Sequence, residues 1–204
     1  MLNPRRFNES VTVIRSSDSS IMVTPLGIYR DNHILYADIY PGTRLYEKAL
    51  EALEACILFP FSIEPFYYSM GIGDVIRFSP AASISAPCPA YNGLVVEAVV
   101  VSRARRKGRL RLRLEPITSY VRGTPKPYSR DYGCSIELLI ALSRLRFWAR
   151  NIRPIDCNIV TKLFDTAVQS FDCIRHATWD EELHSLGAKA LYDAVKMLAL
   201  SSCA

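Results

Sequence analysis

The chain has 204 residues, half of them hydrophobic, 22% charged and 10% aromatic, so it can bury a sizeable core and is not disordered. Its formal net charge is +5, supplied mostly by arginine, which suits fixed, bidentate contacts to anions. No apolar run reaches the roughly 18 residues of a membrane span, and Met1-Leu2-Asn3-Pro4-Arg5-Arg6 has no apolar stretch behind its charges, so a cytoplasmic protein without membrane contact is expected.

Residues 9–15 alternate β-branched side chains and predict a strand. A polar turn at 16–20 leads to a second strand over 21–30, interrupted by Pro25 and Gly27. Asp31-Asn32 predicts a tight turn and 33–40 a third strand, an antiparallel meander. Pro41-Gly42-Thr43-Arg44 ends it. Leu45, Ala49, Leu53 and Cys56 then recur at helical spacing, so a helix near 44–55 is expected, with Thr43 as its N-cap. Residues 57–61 predict another strand. Residues 62–89 predict a long loop with a short strand at 74–78. Its aromatic start, 59–68, would leave an exposed apolar patch on a monomer.

Residues 93–103 and 109–117 predict a hairpin, and 121–132 a Pro- and Gly-rich connector. Three amphipathic helices are expected beyond it, at 135–150, 158–176 and 179–200, the first ending before Pro154. Periodicity thus gives an α+β chain: an antiparallel β-barrel over 1–125 with one inserted helix, then a small C-terminal helical bundle over 126–204.

Cys56, Cys88, Cys134, Cys157, Cys173 and Cys203 lack the short repeated spacings of a metal site. Buried free thiols are expected, with a single disulfide as the alternative in a thermophile. The basic run from Arg103 to Arg113 alternates Arg with Leu in its second half, the period of a half-buried strand. A solvated hairpin face is favoured over a nucleic-acid site. Glu97 and Glu115 alternate with arginines, which favours a cross-strand ion pair over acid–base work. His33, His176 and His184 fit neither a zinc motif nor a triad. Gly71-Ile72-Gly73-Asp74 lacks the third glycine of a dinucleotide fingerprint.

The informative segment runs from Thr24 to Glu47. A Thr-Arg pair at a helix start suits an anion, because the first amides lack intrahelical acceptors and the dipole favours negative charge. Thr43 adds a hydroxyl and Arg44 a planar fork. An ordinary capped helix with a surface arginine is the competing account. Thr24-Pro25-Leu26-Gly27-Ile28, the strand 34–40 and Gly42-Thr43-Arg44-Leu45-Tyr46-Glu47 resemble the start of an archaeal domain-of-unknown-function family with an FMN-binding split β-barrel. Tyr128-Ser129-Arg130, followed by Ile136-Glu137-Leu138-Leu139, is similar to that family's Asn-Arg helix entry. Leu45 and Lys48 depart from its usual Thr and Asn.

The resemblance implies an FMN phosphate on Thr43, Arg44 and the first helical amides, with Arg130 as a further candidate. It implies an isoalloxazine edge along the backbone of Val23, Thr24, Pro25, Leu26 and Gly27. Tyr40 and Tyr46 would flank the flavin or pack into the core. It also implies a homodimer whose second copy completes the site. FMN is expected over FAD, because no second nucleotide fingerprint is present. The function implied is a flavin-dependent oxidoreductase acting on an unidentified small molecule. A non-catalytic flavin-binding or storage protein is the alternative, and a nucleic-acid-binding barrel a more distant one.

Overall fold

A computed structural model describes residues 7–203 except 107, 126, 128 and 152–154. Residues 1–6, Lys107, Tyr128 and Pro154, which entered the expectations above, lie outside the described residues. The chain divides into a barrel unit, Met1–Met70 with Val75–Lys126, and a helical unit, Gly71–Asp74 with Pro127–Ala204.

The barrel unit contains β1 (Asn8–Ser16), β2 (Ile21–Asp31), β3 (Ile34–Ile39), α1 (Arg44–Leu50), β4 (Ala52–Pro60), α2 (Glu64–Ser69), β5 (Phe78–Ser79), β6 (Cys88–Pro89), β7 (Gly93–Arg106) and β8 (Arg109–Arg122). Six strands close into an antiparallel barrel in the order β1-β2-β3-β8-β7-β4, and β5 pairs with β6 separately. Asn32 takes a left-handed φ of 54° in the turn between β2 and β3, a conformation its short polar side chain tolerates. Alternate residues of all six strands form one core, including Ile14, Ile28, Leu35, Ile57, Val96 and Leu112.

The helix expected near 44–55 ends at Leu50, with Glu51 as its C-cap. Residues 52–60 fit both a helical and an alternating pattern. Pairing with β1 on one side and β7 on the other settles them as a strand. Ala52, Ala55 and Ile57 turn inwards and Leu53 outwards. The loop expected over 62–89 contains α2 and the β5–β6 pair, and the short strand sits at Phe78–Ser79 instead of 74–78. The expected apolar patch at 59–68 is also corrected, because Phe66 and Tyr67 are fully buried.

Glu97 is not the cross-strand ion pair expected from its arginine neighbours. It is fully buried, and its carboxylate accepts the backbone N–H groups of Ala82 at 2.8 Å and Ser83 at 2.6 Å, and the Tyr120 hydroxyl at 3.3 Å. Glu54 accepts the Ser85 and Ala86 amides at 3.0 and 2.9 Å. A disulfide joins Cys56 to Cys88. Two carboxylates and one covalent bond thus pin the 81–88 loop over the outer faces of β4 and β7.

The helical unit holds α3 (Arg130–Asn151), α4 (Cys157–Ala177) and α5 (Glu181–Ser201). Asp156 and Asp180 cap α4 and α5 through their side chains. Ala167, Ala190 and Ala194 are fully buried, and a Cβ on Gly187 would come within 3.0 Å of the Phe171 ring. Small residues therefore set a close helix approach. Disulfides join Cys134 to Cys173 and Cys157 to Cys203, with Cα–Cα distances of 6.0 and 5.2 Å. The expected free thiols are corrected, since all six cysteines are paired. Partners 32 to 46 residues apart leave no local spacing signal, and only the fold brings their Cβ atoms within bonding range.

Candidate functional site

The closure of the barrel is incomplete on one side. Ile28 is the first residue of β2 to pair with β3, opposite Ala37. From Asp38 onwards β3 follows β8 alone. Among the described residues, 21–27 of β2 therefore pair with β1 on one edge and with no strand on the other. On β8, residues 115–122 pair only with β7. An opening results, bordered by the free edge of β2 and by the chain from Asp38 into α1.

Strand parity decides which backbone groups reach that opening. Ser10 donates its hydroxyl to the Leu26 carbonyl at 2.6 Å and Asn8 its side-chain amide to the Ile28 carbonyl at 3.2 Å. The even-numbered carbonyls of β2 thus turn towards β1. The odd-numbered residues Val23 and Pro25 turn the other way, where proline's missing N–H leaves no ladder bond unmade. The backbone groups of Val23 and Gly27 and the C=O of Pro25, which accepts the Thr24 hydroxyl at 3.2 Å, turn to that free edge. Thr24 and Leu26 do not present theirs to it, and the Leu26 side chain is buried in the core. The space beside Gly27 is taken by Phe7, whose ring would lie 3.1 Å from a Cβ there.

Thr43 and Arg44 stand at the start of α1, on the chain that leaves β3 where its pairing with β2 has ended. The Thr43 hydroxyl accepts the Tyr46 amide at 3.2 Å and donates to the Tyr40 carbonyl at 2.9 Å, so it serves as the cap expected from sequence. Arg44 is exposed and makes no hydrogen bond or ion pair among the described residues. Lys48 ties α1 to the approach of β2, reaching Asp18 at 2.9 Å and the Ser20 hydroxyl at 2.6 Å. These bonds hold the Asp18 carboxyl well below the usual carboxylate range, the Ser20 hydroxyl being the largest cause and Lys48 the next. Tyr46 packs against the barrel core, whereas Tyr40 is half exposed. Arg130 opens α3 in the helical unit and is exposed.

The sequence run hid one further cation. Arg109, the first residue of β8, lies over the Tyr40 ring with its guanidinium carbon 4.1 Å from the centroid. Arg44 and Arg109 thus flank the Tyr40–Thr43 turn. Asp38 is committed to Arg111 by two bonds of 2.6 and 2.7 Å, which also raise the arginine's pKa. Glu47 is the acidic residue in the first turn of α1. The arrangement can hold an anion at the turn and a flat polar edge against Val23 and Pro25.

No family model and no curated protein matches the chain in sequence. In structure it is similar to the FMN-bound protein MM1853 of Methanosarcina mazei, of family model DUF447, with a TM-score of 0.71 and 13% identity over 95% of this chain and 96% of that one. Fainter likenesses are to the styrene monooxygenase flavin reductase of Pseudomonas putida (TM-score 0.47, 10% identity, 61% of this chain and 94% of that one) and an FMN-binding protein of Thermus thermophilus (0.47, 12%, 60% and 78%). The chain therefore has the fold of the FMN-bound Methanosarcina protein, barrel and helices together, as the resemblance of its motifs at 24–28 and 42–47 implied.

Proposed function

We propose that the protein binds FMN in the opening of the barrel and works as a flavin-dependent oxidoreductase, with a second copy of the chain completing the site. The observation that carries this reading is an edge of β2 without a strand partner among the described residues, tied through Lys48 to the helix that starts with the uncommitted Arg44. The fold shared with an FMN-bound protein supports it. In this reading Thr43, Arg44 and the first amides of α1 hold the phosphate. Val23 and Pro25 align the ring edge through their backbone, and Tyr40 flanks the flavin. The bound flavin supplies the redox chemistry, while the chain's residues bind, orient and exclude water.

The test is a flavin-fluorescence titration with FMN and with riboflavin, which lacks the phosphate. Charge-assisted bonds to an arginine are each worth about 1.5–3 kcal/mol, so Arg44→Ala should weaken FMN binding roughly tenfold to a hundredfold. Riboflavin binding and flavin-free thermal stability should barely change, because Arg44 is exposed. Arg44→Lys should recover part of the loss, since an ammonium cannot form the planar fork. Equal losses for both ligands would mean that the substitution damaged the fold, and no loss for FMN would place the phosphate elsewhere, with Arg130 the next candidate. Sedimentation equilibrium should give twice the chain mass, and a monomer that binds FMN tightly would contradict the shared site.

A further inference from the structure

The outer face of the sheet β2-β3-β8-β7 has a composition unlike the rest of the barrel. Directly opposed residues on neighbouring strands point to the same face, so the register assembles rows across it. Tyr29 lies opposite Tyr36, Tyr36 opposite Arg113, and Arg113 opposite Ser102. The next row runs from Asp38 through Arg111 to Ala104, and the last sets Arg109 opposite Arg106. The other face of the same strands is core, with Leu110, Leu112 and Leu114 fully buried.

On this face the Tyr29 and Tyr36 rings are stacked at 5.1 Å with an interplanar angle of 14°. Arg111 sits over both, 5.2 Å from the first centroid and 5.9 Å from the second. Arg109 sits over Tyr40. Asp38 is neutralised by Arg111, and Glu115 ends the row of outward residues on β8. Arg106, Arg109 and Arg113 have no acidic partner among the described residues. Like charges directly opposite one another, as at Arg106 and Arg109, destabilise a ladder unless an anion lies between them.

We infer that this arginine–tyrosine face binds single-stranded nucleic acid. Arginine forks match phosphate oxygens, and the partly exposed Tyr29–Tyr36 pair on the antiparallel sheet gives bases aromatic surface to stack on. The buried leucines leave this face without the apolar wedge that a membrane surface would take up. The arginine run alone reads as a solvated hairpin. The tyrosines, which come from β2 and β3, give the run a platform beside it.

The experiment is fluorescence anisotropy of the full chain with fluorescein-labelled oligo-dT and oligo-U of about 20 nucleotides, a length spanning one such platform, and with a duplex of equal length. Binding should weaken as salt rises from about 50 to 200 mM, with a log–log slope near −2 for three phosphate contacts. Arg113→Ala should reduce that slope by about 0.7 and leave FMN affinity unchanged, which separates failure of this inference from failure of the flavin reading. Tyr36→Ala should weaken binding about fivefold or more, and Tyr36→Phe should restore it, because stacking needs the ring alone. Absence of binding at low salt, an unchanged affinity in Arg106→Glu/Arg113→Glu, equal affinity for the duplex, or binding only to anionic vesicles would each overturn it.

Discussion

In the barrel unit, side chains from all six barrel strands meet in one continuous apolar cluster, and one disulfide fastens a surface loop to it. In the helical unit, three helices pack through alanines and Gly187, and two disulfides cross between distant parts of the chain. A closed sheet buries its inner face and satisfies most strand edges, so its core is large for its length. A unit of roughly 80 residues made of three helices has less apolar area to remove from water, and staples commonly supply the difference. The two units answer the same entropy cost, one by burial and the other by cross-linking.

The largest expected effect breaks that contrast directly. The Cys157–Cys203 bond closes a loop of 46 residues, worth about 4 kcal/mol in the chain-entropy model. Replacing both cysteines with serine should lower the melting of the helical signal at 222 nm far more than Cys56→Ser/Cys88→Ser does. Equal losses of helical signal would show that the helices are held by packing alone. Next in size is Glu97→Gln. It removes a buried charge acceptor from two loop amides and should cost about 1–3 kcal/mol in denaturant unfolding, since a buried group is left poorly paired. Glu54→Gln, at a carboxylate 19% exposed where Glu97 is fully buried, should cost less, and the reverse order would mean that Glu97 is not the principal anchor of the loop.

Asp18→Asn should have the smallest effect. The Asp18 carboxyl is fully exposed and held below its ordinary range. A lowered folded-state pKa stabilises above the unfolded carboxylate range and loses that contribution as pH falls through the folded value. The small Tm difference between wild type and Asp18→Asn should therefore be present at neutral pH and vanish under strong acid. A difference that grows on acidification would contradict the sign.

Much of this was legible in the chain. Alternation marked β1, β2, β3 and the β7–β8 hairpin, and the Thr43 cap was visible from its place before Leu45. What sequence could not show depended on contacts distant in the chain. The end of α1 was hidden because residues 52–60 satisfy two periods at once, and sheet pairing chose between them. The disulfide partners lie on different elements. Arg109 looked like one arginine in a basic run, because its partner Tyr40 lies about 70 residues away in the turn after β3. At the site, Val23 to Gly27 formed one stretch in sequence, yet strand parity turns the backbone groups of Val23, Pro25 and Gly27 to the free edge and those of Thr24 and Leu26 to β1.

The two bare strand edges also bear on how the protein avoids sticking to other chains. An unpaired edge is a template for any passing strand. β2 carries Pro25 in its bare stretch, and β8 carries Pro116, whose opposite residue on β7 is Ala98. Each proline deletes a donor that an invading strand would need, while leaving a carbonyl in place. The edges can thus accept hydrogen bonds from a small flat molecule but cannot propagate a ladder. Replacing either proline by a β-branched residue would turn a ligand-sized gap into a seam for aggregation.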